Sequence, residues 1–227
     1  MIEDATMRKR IFISRNLPVD SIFRATLEGL AELEGQSLIH FEAVPIVELP
    51  QCDWLFFYSK KGIDFGWNSL LNIRPFPKVA VLGQASAEYL AQQQGYQADF
   101  VGTGAAEATA QAFLKDATGK RVCFVQAQNS RQSVAKQLGH QVQAQTLVVY
   151  ANTPKTALSI PTCDILVFTS PLNAQAYYQQ YAPQVRQTVI AIGQTTAKAL
   201  HQLGISDFKI APHPHERALA NTCLSLL

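Results

Sequence analysis

The chain is written twice, at a period of about 110 residues, and a duplication of that length constrains the fold more than any single motif. Cys52-Asp53-Trp54-Leu55-Phe56-Phe57-Tyr58-Ser59 aligns with Cys163-Asp164-Ile165-Leu166-Val167-Phe168-Thr169-Ser170 at an offset of 111. Lys78-Val79-Ala80-Val81-Leu82-Gly83-Gln84-Ala85-Ser86-Ala87 aligns with Thr188-Val189-Ile190-Ala191-Ile192-Gly193-Gln194-Thr195-Thr196-Ala197 at 110. Gly95 and Gly204 follow, then Asp99-Phe100-Val101 against Asp207-Phe208-Lys209-Ile210. Arg10-Ile11-Phe12-Ile13 pairs with Arg121-Val122-Cys123-Phe124, again at 111.

Each copy is punctuated like α/β units. Ile11–Ile13, Leu55–Phe57, Val79–Leu82, Val122–Val125, Ile165–Phe168 and Val189–Ile192 are short continuous apolar runs. Strands buried on both faces of a parallel sheet have this appearance. Between them lie helical windows. Residues 17–34 put Leu17, Phe23, Leu27, Leu30 and Leu33 on one face, and Ala87, Leu90 and Ala91 are repeated in spacing by Ala197, Leu200 and His201. Gly35, Gly95, Gly139 and Gly204 fall where helices would end. Alternating strands and helices predict parallel sheets covered on both faces, about ten strands in two sheets of five. Two extended segments, 41–48 and 146–151, sit mid-copy and suit paired connectors between two domains.

Cys52, Cys123, Cys163 and Cys223 form no C-x-x-C and have no histidine at finger spacing, so they read as buried free thiols rather than zinc ligands or a disulfide frame. The opening Met1-Ile2-Glu3-Asp4 is acidic and unlike a secretory signal, and no apolar run nears bilayer length. A cytoplasmic protein is the expectation, one that binds neither membrane nor nucleic acid. Net charge is only +2, without a basic stripe.

Asp164-Ile165-Leu166-Val167-Phe168-Thr169-Ser170-Pro171, followed by Ala191-Ile192-Gly193-Gln194-Thr195-Thr196-Ala197-Lys198-Ala199-Leu200 and Gly204, resembles uroporphyrinogen-III synthase. Val149-Tyr150 at the end of the second connector and the degenerate copies at 53–59 and 79–90 fit the same family. The resemblance spans essentially the whole chain. It implies two similar parallel-sheet, flavodoxin-like α/β domains, each mixing the two repeats: 1–42 with 153–227, and 49–145. Residues 43–48 and 146–152 would form the two-stranded linker. It also implies cyclisation of hydroxymethylbilane to uroporphyrinogen III with inversion of the last ring, by a monomer that needs no metal or organic cofactor. The substrate would be handed over by its own synthase. A charge asymmetry then disappears. Residues 1–119 hold 10 basic and 14 acidic side chains and residues 120–227 hold 9 and 3, but the regrouped lobes hold 10 and 10 against 9 and 7.

A flexible polycarboxylate suits helix N-termini at the carboxyl ends of strands, where backbone N–H groups point outward. Ser59-Lys60-Lys61, Gln84-Ala85-Ser86, Thr169-Ser170-Pro171 and Gly193 with Thr195-Thr196 occupy such turns, although Ser and Thr there also serve simply as caps. Arg15 and the Ser130-Arg131 turn add cations and a hydroxyl after two other strands. Family members often carry an arginine where this chain has Gln126. By the resemblance, Tyr150 is the catalytic candidate: a phenol protonated at neutral pH can donate to the departing hydroxyl. His213-Pro214-His215-Glu216 reads as a turn into the last helix rather than a metal site. A non-catalytic two-lobed protein that binds a tetrapyrrole or another small ligand is the alternative left by sequence alone.

Overall fold

The computed structural model describes residues 8–227, so the acidic opening Met1–Asp4 lies outside the described residues. The chain begins β1 (Arg10–Ile13), α1 (Ile22–Leu27), β2 (Glu32–Gly35), β3 (Ile39–Ala43), β4 (Trp54–Phe57) and α2 (Lys60–Leu70). It continues with β5 (Lys78–Val81), α3 (Gln84–Gln94), β6 (Phe100–Val101), α4 (Ala106–Ala117), β7 (Arg121–Ala127), α5 (Ser133–Leu138) and β8 (Gln143–Pro154). It ends β9 (Ile165–Phe168), α6 (Pro171–Tyr178), β10 (Thr188–Ala191), α7 (Gln194–Gln202), β11 (Lys209–Ile210) and α8 (Glu216–Leu224). Two compact units result: the residues up to His40 together with Thr153–Leu227, and Phe41–Asn152.

The first unit holds a parallel sheet in the order β11-β10-β9-β1-β2. The second holds β3-β8-β7-β4-β5-β6, parallel from β8 to β6. Counted along the chain, the first sheet runs 2-1-3-4-5. The same order appears in the second once β7 is counted first. Each unit therefore joins the front half of one repeat copy to the back half of the other. Strand side chains alternate between layers: Leu55 and Phe57 join Ile63, Trp67 and Leu70, while Trp54 and Phe56 join Phe113, Phe124 and Leu138. Both faces are buried, which is why the strands read as unbroken apolar runs.

Three expectations are corrected. The helix anticipated over 17–34 is only Ile22–Leu27, because Gly29 turns the chain out at φ +82° and Glu32–Gly35 forms an edge strand. Gly35 is thus a strand residue, opposite Ile13, and Gly29 ends the helix. The second sheet has six strands rather than five, since β3 joins it. That strand covers Ile39–Ala43, shorter and earlier than the extended segment read at 41–48. Pairing reaches Val44, whose N–H donates to Val149 O at 3.0 Å, and then meets Pro45, which has no N–H to give. Among the described residues, no helix is long and apolar enough to cross a membrane.

Short α1 survives because the last helix caps it. Glu216, in the first turn of α8, accepts from the Phe23 N–H at 3.2 Å and from the Ser21 hydroxyl. An anionic cap at that end also complements the helix dipole.

One aspartate ties three strands together in each unit. The Asp164 carboxylate accepts from the Arg10 N–H at 2.8 Å, its own N–H donates to Arg10 O, and its carbonyl accepts from the Thr188 N–H. Asp53 repeats this with Arg121 and Lys78. There the Arg121 side chain also binds the carboxylate at 3.1 Å and holds Asp53 below the usual aspartate range. A depressed folded pKa means that the Asp53 contribution is present above the ordinary aspartate value and lost as pH falls through the folded one. Asp164→Ala is expected to lower stability by about 1–2 kcal/mol, read as a lower urea midpoint at unchanged m-value.

Candidate functional site

In each sheet the chain leaves adjacent strands in opposite directions at one point, and open α/β sheets bind ligands there, beyond the strands' carboxyl ends. In the Phe41–Asn152 unit that point separates β7 from β4. Tyr58-Ser59-Lys60 follow β4, and Gln128–Gln132 follow β7.

Tyr150 reaches this edge through an irregularity in pairing. Gln126 is opposite Val148 but Ala127 is opposite Tyr150, so β8 carries an extra residue. Such a bulge re-aims side chains. Consecutive Val149 and Tyr150 consequently both enter the layer that holds Phe57 and Trp67. The Tyr150 hydroxyl lies 3.3 Å from Ser59 Oγ. Its ring stacks on Phe65 at 5.4 Å and 20°, and Phe41 flanks it at 6.1 Å. The Tyr150 carbonyl accepts from the Gln128 N–H at 2.9 Å, tying the turn after β7 to the same place.

Two cations stand beside this cluster on aromatic faces. Lys60 Nζ is 5.4 Å from the Tyr89 ring centroid and Lys61 Nζ is 5.6 Å from that of Phe41. Asp64 holds Lys61 at 3.0 Å and accepts from the Tyr89 hydroxyl, and this hydrogen bond raises the Tyr89 phenol above its ordinary value.

Helix N-termini divide into two kinds. Ser59 and Ser170 cap α2 and α6, accepting from Gly62 and Asn173 N–H groups at 3.2 Å each. Pro171 at the start of α6 has no N–H to offer a ligand. By contrast α3 and α7 begin at Gly83 and Gly193, and neither has a side-chain cap. Their leading N–H groups stay open, at Gln84-Ala85 and at Gln194-Thr195. Gly83, Gln84, Ala85 and Ser86 line a cavity of about 240 Å³ with Tyr58.

In the other unit the corresponding edge lies between β1 and β9. The Thr169 hydroxyl donates to Ser14 O at 3.0 Å, while the Thr169 N–H donates to Ser14 Oγ at 2.9 Å. That hydroxyl proton is committed inside the protein. Arg15, half-buried, is the second residue after β1, and Thr195 is exposed on the first turn of α7. Thr196 is 2% exposed and has no surface for a ligand, so its side chain is a core residue and not a binding group.

In the turn after β7, Ser130 Oγ accepts from the Gln132 N–H at 3.2 Å, and Arg131 is exposed. The offset of 111 sets Gln126 against Arg15. Gln126 is buried at 2% exposure, and its Oε1 has no hydrogen-bond partner.

Tyr58, Asp64, Phe65 and Tyr89 join the site without having been expected there. Asp64 and Phe65 follow Lys61 at helical spacing, which brings them to the same end of α2. Nothing local connects Tyr89 to them.

The family model described as uroporphyrinogen-III synthase HemD matches residues 34–221. No curated protein matches the sequence. Among solved structures, the chain is similar to the uroporphyrinogen-III synthetase of Helicobacter pylori 26695, at 22% identity and a TM-score of 0.73, over 97% of this chain and 100% of that one. It is also similar to a mutant uroporphyrinogen III synthase of the extremely thermophilic bacterium Thermus thermophilus, at 16% identity and a TM-score of 0.60, over 96% and 98%.

Proposed function

The chain belongs to the uroporphyrinogen-III synthase family, and from that premise we propose how its residues divide the work of a cyclising lyase of haem biosynthesis. The substrate is hydroxymethylbilane, and the product is uroporphyrinogen III with the last pyrrole inverted. The observation that carries this function is the family match, which runs from 34 to 221 and so takes in the open helix starts of both units.

Substrate carboxylates fit the open N–H groups leading α3 and α7, where the helix dipole adds partial positive charge. Lys60, Lys61 and Arg15 add charge-assisted hydrogen bonds, with Ser130 and Arg131 at the turn after β7. Tyr150 donates its proton to the departing hydroxyl, which leaves as water. The proton shed when the closing ring regains aromaticity restores the phenol. Ser59, within reach of the Tyr150 oxygen, sets the direction of that donation. Ser170 and Thr169 support their helix start rather than the substrate, consistent with their internal hydrogen bonds.

Each unit is flavodoxin-like, a reading supported by its 2-1-3-4-5 strand order. The protein acts as a cytoplasmic monomer that receives the bilane from its synthase. Lys60→Met combined with Lys61→Met is expected to raise KM about tenfold with kcat nearly unchanged, because these cations bind ground and transition states alike. The function is tested by supplying freshly made hydroxymethylbilane and separating the oxidised isomers. Type III product is the expected result, and type I alone, the spontaneous isomer, would overturn it.

A further inference from the structure

A cavity outside the proposed reaction lies in the Phe41–Asn152 unit, at the end of the sheet opposite Tyr150. It measures about 490 Å³ and opens at the amino ends of β4, β5 and β7, each of which contributes its first residue: Trp54, Lys78 and Arg121. Ligand pockets run from about 300 to 1,000 Å³, so the space suits a small molecule.

The backbone sets these side chains in place. The Asp53 N–H donates to Arg121 O and the Asp53 carbonyl accepts from the Lys78 N–H, so Lys78 and Arg121 flank β4 at one level. Lys78 Nζ lies 5.4 Å from the centroid of the Trp54 ring. Lys120 precedes Arg121 on the wall, and Arg74 and Phe76 line it from the loop before β5. Arg74 is pinned through Nη1, which donates to Leu71 O at 2.5 Å and to Ile73 O at 2.7 Å, and its Nε and Nη2 stay unspent.

Charge in the cavity does not balance. Four cations face two carboxylates, Asp53 and Asp116, and Asp53 is taken up by Arg121. Among the described residues, Arg74, Lys78 and Lys120 form no ion pair. Set against Asp116, they leave a surplus of two positive charges.

The duplication supplies an internal contrast. Lys9-Arg10 aligns with Lys120-Arg121, Ile165 with Trp54 and Thr188 with Lys78. In the other unit the cations of this corner are spent: Arg10 Nη2 lies 2.6 Å from Glu32, and Lys9 Nζ donates to Leu226 O at 2.5 Å. Thr188 brings no charge there and Ile165 no indole. The surplus therefore belongs to this cavity and not to the fold.

We propose that this cavity binds a small phosphate monoester carrying a flat organic group. Lys78, Lys120 and the free edge of Arg74 hold the phosphate, and Trp54 and Phe76 line the wall for the flat group. A phosphate ester brings nearly two negative charges on one compact group, which matches the surplus, and ammonium groups bind it as point charges. The site is independent of the reaction, because Ser59 and Lys60 follow the opposite end of β4.

The test titrates the intact protein with phenyl phosphate in a calorimeter. One saturable site per chain is expected, with a dissociation constant of about 1 mM or tighter. Lys78→Gln combined with Lys120→Gln is expected to weaken binding at least about tenfold, through two lost charge-assisted contacts. Both lysines are exposed, so the core is untouched and turnover of hydroxymethylbilane is expected to stay at the wild-type rate. Lys60→Met combined with Lys61→Met is expected to leave phenyl phosphate binding unchanged. Tryptophan emission is expected to shift on binding and to lose that response in Trp54→Phe, which keeps Trp67. Inorganic phosphate is expected to bind at least about fivefold more weakly, since it leaves the apolar wall unfilled. Absence of saturable binding would overturn the proposal, as would equal affinity in the Lys78/Lys120 variant or loss of binding in the Lys60/Lys61 variant. Equal affinity for inorganic phosphate would overturn the assignment to an ester.

Discussion

Tyr150→Phe is expected to slow turnover about a hundredfold at saturating hydroxymethylbilane, the low end of what a positioned acid contributes. The substitution removes one oxygen and leaves the ring, so stacking on Phe65 survives. Ser59 keeps its bond from the Gly62 N–H and α2 keeps its cap. The loss should therefore appear in kcat, with KM almost unmoved, as for an interaction made only in the transition state. Some activity remains because an electron-rich pyrrole expels its hydroxyl readily. Initial rates of type III formation provide the measurement, and an unchanged rate would remove Tyr150 from the reaction.

Phe56→Ala is expected to cost about 3–5 kcal/mol, the range for emptying a buried aromatic site. Phe56 is 0% exposed on β4, between β7 and β5. Its ring meets Tyr58 at 5.2 Å, Phe124 at 5.4 Å and Phe113 at 5.5 Å. Domain stabilities are only about 5–15 kcal/mol, so much of the stability would go. Phe56→Leu should recover most of it, because a branched aliphatic refills much of the volume. A denaturant series reads both variants, and an alanine variant within about 1 kcal/mol of wild type would contradict this packing.

Strands buried on both faces were the most legible part of the chain, because Leu55-Phe56-Phe57 and Ile165–Phe168 leave no helical alternative of plausible length. The stretch from 17 to 34 misled because Leu27, Leu30 and Leu33 keep a helical spacing across a break. Gly29 alone marks that break, and an edge strand with the pattern Glu-Leu-Glu-Gly carries little apolar signal. Cap residues were visible at Ser59 and Ser170, but whether a hydroxyl is spent on its own helix depends on geometry, as Thr169 shows. The bulge at Tyr150 left a faint trace in Leu147-Val148-Val149-Tyr150, a run without the alternation of an ordinary strand. Asp64 and Tyr89 come together only when α2 and α3 pack, a tertiary event without a local signature.

The nested order of the two units has a consequence for synthesis on the ribosome. Phe41–Asn152 is contiguous and can complete its core as soon as it emerges. Strand β1 emerges first of all, yet it lies inside its sheet between β2 and β9. At about 5–20 residues per second, the wait between Ile13 and its neighbour Val167 is roughly eight to thirty seconds. Throughout that interval Ile11, Phe12 and Ile13 have no finished core to enter. The nascent amino-terminal arm is therefore the segment most in need of a chaperone, and a chain cut short near its carboxyl end strands both of its ends at once.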